Sequence, residues 1–76
     1  MISEAEKNIL DIINHLGIAS FEQLSTTGVD LSAMSVLLRE EMIGSECLFD
    51  GTYYVLTPKG LWQLDLWKRN QPNSEK

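Results

Sequence analysis

Apolar residues near the start of the chain recur at the spacing of one helical face. Ser3 is followed three residues later by Glu6, a pair that caps the first turn of a helix through reciprocal hydrogen bonds. Gly17 can adopt the left-handed conformation that ends a helix without steric strain. The pattern predicts a first helix from Ser3 to Leu16, with an apolar face at Ala5, Ile9, Ile12, Ile13 and Leu16.

The same capping pattern returns after a short extended segment at Ile18 and Ala19. Ser20 and Gln23 form the second pair of capping residues, at the start of the sequence FEQLSTT. We therefore expect a short second helix that ends near Gly28.

A third helix is predicted over about residues 31–43. Asp30 is a favourable N-cap for it, and the short second helix and tight turn before it complete a helix-turn-helix. Helical spacing places its inward side at Leu31, Met34, Leu38 and Met42.

Asp50 and Gly51 lie between two stretches rich in aromatic and β-preferring residues. An Asp-Gly pair in that setting strongly predicts a two-residue hairpin turn. Phe49 would then lie opposite Thr52, and every other pair follows from that register. Alternation along the strands gives one face of Cys47, Phe49, Tyr54 and Leu56, and another of Leu48, Tyr53 and Val55.

A fourth helix is predicted to begin at Thr57 and Pro58. Threonine caps a helix, and proline suits the first helical position. The apolar residues of this helix cover more of its circumference than one core-facing stripe, so part of that surface needs a second partner. They are Leu61, Trp62, Leu64, Leu66 and Trp67.

This order of elements is that of the winged-helix fold. The segments IASFEQLSTTGVDLSAMSVLL and YYVLTPKG resemble the helix-turn-helix and the end of the wing in regulators of the MarR and PadR type. The resemblance covers about residues 3–68 and implies an α+β fold with a three-helix core, a two-stranded wing and a C-terminal helix. A chain of 76 residues has room for one domain, which we place at residues 1–70. The polar segment 71–76, QPNSEK, is expected to be a disordered tail.

The resemblance also implies a surface that would contact DNA. The wing tip, which contacts phosphate in DNA-binding members, is minimal and acidic here, at Asp50 and Gly51. The ending EEMIG differs from the family pattern L-x-x-x-G-L-I and puts Glu41 near a normally apolar position. The groove-facing positions of the family correspond to Ser32, Ala33, Ser35, Val36 and Arg39.

The charge balance weakens the expectation of DNA binding. The chain of 76 residues has eleven acidic and six basic side chains and a formal net charge of −5, whereas domains that neutralise phosphates are usually basic on one face. Arg39 either contacts DNA or pairs with a neighbouring glutamate. Lys59, Lys68 and Arg69 form either a weak basic edge or ordinary solvated cations.

Catalytic and metal-binding chemistry is not indicated. His15 and Cys47 are the single histidine and cysteine, they lie in separate predicted elements, and a zinc site takes three or four ligands. We expect His15 to be solvated and Cys47 to be buried. No phosphate-binding loop or paired-carboxylate signature is present, so no enzyme and no cofactor is expected. Without a secretory signal or an apolar run long enough for a membrane span, the predicted location is cytoplasmic.

The apolar surface of the hairpin and the fourth helix is the main functional signal. Tryptophan and tyrosine at a surface are typical anchors of protein interfaces. We expect a non-enzymatic winged-helix regulatory or adaptor module that contacts another protein or forms a homodimer through its C-terminal helix. The alternative is a dimeric DNA-binding transcriptional regulator with the third helix in the major groove. The predicted interface residues are Leu48, Tyr53, Val55, Trp62, Leu66 and Trp67.

Overall fold

Four α-helices and a three-stranded antiparallel sheet form an α+β fold in the computed structural model, which describes residues 2–70. The predicted disordered tail, residues 71–76, lies outside the described residues. Strand β3 lies in the middle of the sheet, between β1 and β2. In chain order the elements are α1 (Glu4–Leu16), β1 (Ala19–Ser20), α2 (Phe21–Ser25), a 3₁₀ helix (Leu31–Ala33), α3 (Met34–Arg39), β2 (Ile43–Leu48), β3 (Gly51–Leu56) and α4 (Pro58–Arg69).

The first two helices begin at the predicted caps. The Ser3 N–H donates to Glu6 Oε1 at 2.9 Å, and the Glu6 N–H donates to Ser3 Oγ at 3.2 Å. Ser20 and Gln23 form the same reciprocal pair at 2.8 and 3.1 Å. Gly17 ends α1 with a φ of 84°. These local hydrogen bonds satisfy N–H groups that a helix leaves unpaired, which explains why the sequence located both starts correctly.

The core lies where α1 packs against the other helices and the sheet. Every buried side chain of residues 2–70 is apolar, so burial of apolar surface drives the packing. Leu16, which was predicted on the inner face of α1, is 46% exposed at the end of that helix. The largest fully buried side chains come from all four helices and are Ile9, Leu10, Ile13, Leu24, Leu37 and Leu64.

The predicted third helix is shorter than expected. It consists of the 3₁₀ helix and α3, and it ends at Arg39 instead of near residue 43. Glu41 adopts a left-handed φ of 63°, which turns the chain out of the helix. Met42 lies in the turn after α3 and is buried there. Ile43 is the first residue of β2. Glu41 is exposed and occupies a helix-ending position, not the apolar position that the resemblance implied.

The inward side of this segment also differs from the prediction. Met34 is buried as expected, but Leu37 is fully buried where Leu38 was predicted, and Leu38 is 38% exposed. Met34 and Leu37 are three residues apart and Met34 and Leu38 are four apart, and one face of an α-helix allows both spacings. The periodic pattern by itself therefore did not decide between Leu37 and Leu38 as the inward residue.

Asp30 caps the 3₁₀ helix and makes stability depend on pH. Its carboxylate accepts hydrogen bonds from the Ser32 hydroxyl at 2.6 Å and the Ser32 N–H at 3.1 Å, and these bonds lower the pKa of Asp30 from 3.8. A lowered folded-state pKa stabilises the fold above the unfolded-state pKa, and this contribution disappears as the pH falls through the folded-state value.

We expect Asp30→Ala to lower the melting temperature at neutral pH, and we expect this effect to shrink as the pH falls below 3.8 and through the lowered folded-state pKa. Circular dichroism melts at several pH values measure both quantities. Asp30→Asn keeps a capping oxygen and is the matched control, with a smaller effect at neutral pH. If Asp30→Ala lowers the melting temperature by the same amount at every pH, the charge of Asp30 contributes nothing to stability.

The hairpin turns one residue earlier than predicted. Its central residues are Phe49 and Asp50, and Leu48 lies opposite Gly51. Gly51 has a φ of 145°, so glycine supplies the unusual backbone angle just after the turn instead of within it. The pairs are therefore offset by two residues from the prediction, and Cys47 lies opposite Thr52. An even offset leaves the strand residues on their predicted faces, whereas Phe49 lies in the turn and belongs to neither face.

Cys47 is exposed, which corrects the prediction of a buried thiol. It shares a face with Tyr54 and Leu56, and both of these pack against the core. Exposure increases along β2: Ile43 is only 2% exposed, and residues 45–48 are exposed. The outer half of the hairpin thus extends beyond the core, where Phe49 at the turn is fully exposed.

Helix α4 begins in direct contact with the turn after α3. Thr57 Oγ1 accepts a hydrogen bond from the Gly60 N–H at 3.1 Å and donates to the Glu41 carbonyl at 2.6 Å. The Thr57 N–H donates to the Met42 carbonyl at 3.1 Å. Gly60 is buried, and a Cβ atom there would overlap the Met42 carbonyl oxygen. The predicted Thr57 cap is therefore present, and it also joins two distant parts of the chain.

Candidate functional site

The predicted DNA-contacting residues do not all reach the surface. Ser32, Ser35 and Arg39 are exposed and Val36 is half-buried, but Ala33 is buried at 7% exposure. Ala33 belongs to the 3₁₀ helix and lies on the same inward side as Met34 and Leu37. The prediction that Ala33 could contact DNA is therefore wrong, because its side chain is buried.

Most of the basic side chains lie close to carboxylates. Of the five lysines and arginines in residues 2–70, only Lys7 has no carboxylate oxygen within 4 Å. Nε of Arg39, the basic residue of α3, lies 3.8 Å from Oε2 of Glu40. This is the second of the two predicted roles of Arg39, pairing with a neighbouring glutamate. Positive charge is therefore dispersed among exposed ion pairs, and Arg39 and Lys59 share the single carboxylate of Glu40. The other pairs are Lys59 with Glu40 at 3.9 Å, Lys68 with Asp11 at 3.3 Å and Arg69 with Asp65 at 3.0 Å.

The helical half of the predicted interface is divided between surface and core. Trp62 is 59% exposed and Leu66 is half-buried. Trp67 packs against the hydrophobic core from α4, so much of its ring is already covered. Leu61 was not among the predicted interface residues, yet it is 50% exposed.

The α4 patch consists of Leu61, Trp62 and Leu66. Leu61 and Trp62 line one open groove together with Pro58 and Asp65. Helical geometry explains the arrangement, because Gly60 and Leu64 turn toward the core and leave these three side chains on the outer side. Leu61 could have been found from the sequence once the inward stripe of α4 was known.

The hairpin half of the predicted interface lies beside a different groove. Leu48 is 45% exposed, whereas Tyr53 and Val55 are half-buried. Tyr53 lines its groove with Phe21 and Glu22 of α2, which strand β1 holds next to β3. Sequence reasoning did not identify Phe21, because only the pairing of Ser20 with Tyr53 brings α2 beside the hairpin.

The hydroxyl of Tyr53 is the best-defined polar group in this groove. It donates a hydrogen bond to Asp50 Oδ2 at 3.0 Å, and this bond is the main reason why the pKa of Tyr53 is raised. Burial and the negative charges of Asp50 and Glu22 raise the pKa further. The hydroxyl of Tyr53 therefore keeps its proton over a wider pH range than a free tyrosine and remains a hydrogen-bond donor to Asp50.

His15 and Cys47 lie on separate exposed parts of the molecule. His15 is in the last turn of α1 and Cys47 is in β2. Within residues 2–70, no group of three or more histidine, cysteine, aspartate or glutamate side chains could hold a metal ion. No helix in the same part of the chain has the length and apolar character needed to cross a membrane.

Comparison with protein-family models, curated proteins and solved structures found no match to this chain. The surfaces described above therefore provide the physical basis for a functional proposal.

Proposed function

We propose that this chain is a non-enzymatic winged-helix module that acts through protein contacts and pairs with a second copy through α4. The element order and the hairpin between β2 and β3 support the winged-helix assignment. The exposed, separated His15 and Cys47 offer no pair of groups for nucleophilic catalysis.

The observation that carries the proposal is the exposure of the α4 patch. Leu61 and Trp62 are 50% and 59% exposed on a domain whose core is already filled by other apolar residues. Tryptophan is among the residues that contribute most to protein interfaces when water is excluded from them. A contact that covers Leu61 and Trp62 would remove this apolar surface from water.

A second copy of the chain suits this surface. In a two-fold symmetric contact the same patch meets itself in the opposite direction. With the axis between Trp62 and Leu66, Trp62 of one copy lies against Leu66 of the other. The pairing is thus isologous and uses only residues of the α4 patch.

The double substitution Leu61→Ser with Trp62→Ser is expected to weaken self-association by about 30-fold or more, as for removal of an interface hot spot worth about 2 kcal/mol. Sedimentation velocity over a series of protein concentrations measures the dissociation constant. Leu16→Ser is the matched control, because Leu16 is 46% exposed on α1, outside the patch. A wild-type protein that remains monomeric at all concentrations would contradict homodimerisation.

DNA binding is the second candidate function. The exposed positions of Ser32, Ser35 and Arg39 favour it, because they lie along the outer side of the 3₁₀ helix and α3. The carboxylate of Glu40 beside Arg39 and the acidic hairpin tip at Asp50 oppose phosphate contacts. Salt-sensitive binding of mixed-sequence duplex by the folded wild-type protein would favour this candidate over the protein-binding function.

A further inference from the structure

A groove between the start of α2 and the hairpin combines aromatic and acidic side chains. Seven residues, 20–22 and 50–53, line a space of about 300 Å³. Four of them, Phe21, Glu22, Asp50 and Tyr53, define what we call the acidic aromatic groove. Pairing of β1 with β3 holds its two walls together.

The carboxylates of this groove have no ion-pair partner, like most of the carboxylates in residues 2–70, but they lie beside aromatic side chains. Within residues 2–70, neither Glu22 nor Asp50 has a lysine or arginine nitrogen within 4 Å. The lining residues include no basic side chain. Tyr53 donates a hydrogen bond to Asp50 but leaves its negative charge uncompensated. The groove thus combines two carboxylates that have no cationic partner among residues 2–70 with the rings of Phe21 and Tyr53.

The aromatic side chains restrict the kind of cation that fits. Phe21 is 48% exposed and Tyr53 is half-buried, so ring surface is available beside the carboxylates. A guanidinium group stacks on aromatic rings and donates several hydrogen bonds to carboxylates in one plane. An ammonium group supplies a point charge without the planar stacking surface.

We infer that the acidic aromatic groove binds an arginine side chain of a partner protein. Stacking against Phe21 places the guanidinium next to Glu22 and Asp50, which accept its hydrogen bonds. The negative charges of Glu22 and Asp50 repel phosphate, so we do not expect a nucleic acid to bind in this groove. The inference takes its class of partner from the proposed protein-binding function, but it does not require pairing through α4.

Amide NMR spectra of the isotope-labelled protein, titrated with N-acetyl-arginine amide, test this inference. We expect chemical-shift changes concentrated at residues 20–22 and 50–53. N-acetyl-citrulline amide is the matched neutral probe and should bind at least about tenfold more weakly, because it lacks the charge that the carboxylates attract. Glu22→Gln with Asp50→Asn should weaken arginine-amide binding by a similar factor.

Glu4→Gln with Glu41→Gln makes the same change in net charge at exposed positions outside the groove and should leave binding unchanged. Phe21→Ala should weaken arginine-amide binding while its amide spectrum remains that of a folded protein. Equal loss in the two charge variants, equal binding of the citrulline probe, or shifts spread over the whole acidic surface would overturn the inference. If the wild-type protein binds arginine amide at the groove but does not self-associate, the homodimer is contradicted and the inference about the groove stands.

Discussion

Gly60→Ala is expected to lower the free energy of unfolding by about 3 kcal/mol, near the upper end for an overpacked site. A domain of this size has a total stability of about 4–11 kcal/mol, so the variant would keep about 1–8 kcal/mol and would melt at a lower temperature. The reason is backbone contact, because the added methyl group would overlap the Met42 carbonyl oxygen and lie 2.9 Å from its carbonyl carbon. Neither atom can move without disturbing the turn that Thr57 holds.

Urea unfolding measured by circular dichroism gives the change in free energy. Intrinsic helix propensity alone predicts the opposite sign, since alanine stabilises a helix by about 1 kcal/mol relative to glycine. Gly44→Ala is the control, because its Cβ atom would make an ordinary contact 3.8 Å from Val55 Cγ2. Unchanged or increased stability in Gly60→Ala would show that α4 and the turn are not in the close contact described.

Leu37→Ala is expected to destabilise the fold by about 2–5 kcal/mol, whereas Leu38→Ala should have an effect of less than about 1 kcal/mol. Leu37 is fully buried and its truncation leaves a cavity, while Leu38 is 38% exposed in the same short helix. The two variants remove the same atoms from adjacent positions. Their difference therefore measures which residue of α3 faces the core.

Urea unfolding midpoints of the two variants, recorded under the same conditions, provide the comparison. Both substitutions raise intrinsic helix propensity slightly, so that contribution largely cancels between them. A larger loss for Leu38→Ala would restore the inward face predicted from the sequence and contradict the burial of Leu37.

The local signals in the sequence located the starts of the helices well. Ser3, Ser20, Asp30 and Thr57 all accept hydrogen bonds from backbone N–H groups in the first turn that follows. A cap acts over two or three residues, so the information needed to find it is contained in the neighbouring sequence. The α+β class followed from these helix starts and from the hairpin signal.

The candidate surfaces were predicted only in part. Trp62 and Leu48 were correctly expected at the surface, but Trp67 packs on the core and Ala33 is buried. Exposure depends on which neighbouring elements cover a side chain, and periodicity within one helix does not contain that information. Leu61 was missed for the same reason.

The sequence by itself determined the capped helix starts, the presence of a hairpin and the acidic balance of the chain, because each depends on residue type or on neighbours a few positions away. The tertiary structure decided where α3 ends, how far β2 is covered and which residues meet in the acidic aromatic groove. Phe21 and Asp50 are far apart in the chain and line one groove because β1 pairs with β3. Such contacts depend on the packing of whole elements, which residue type and local spacing do not specify.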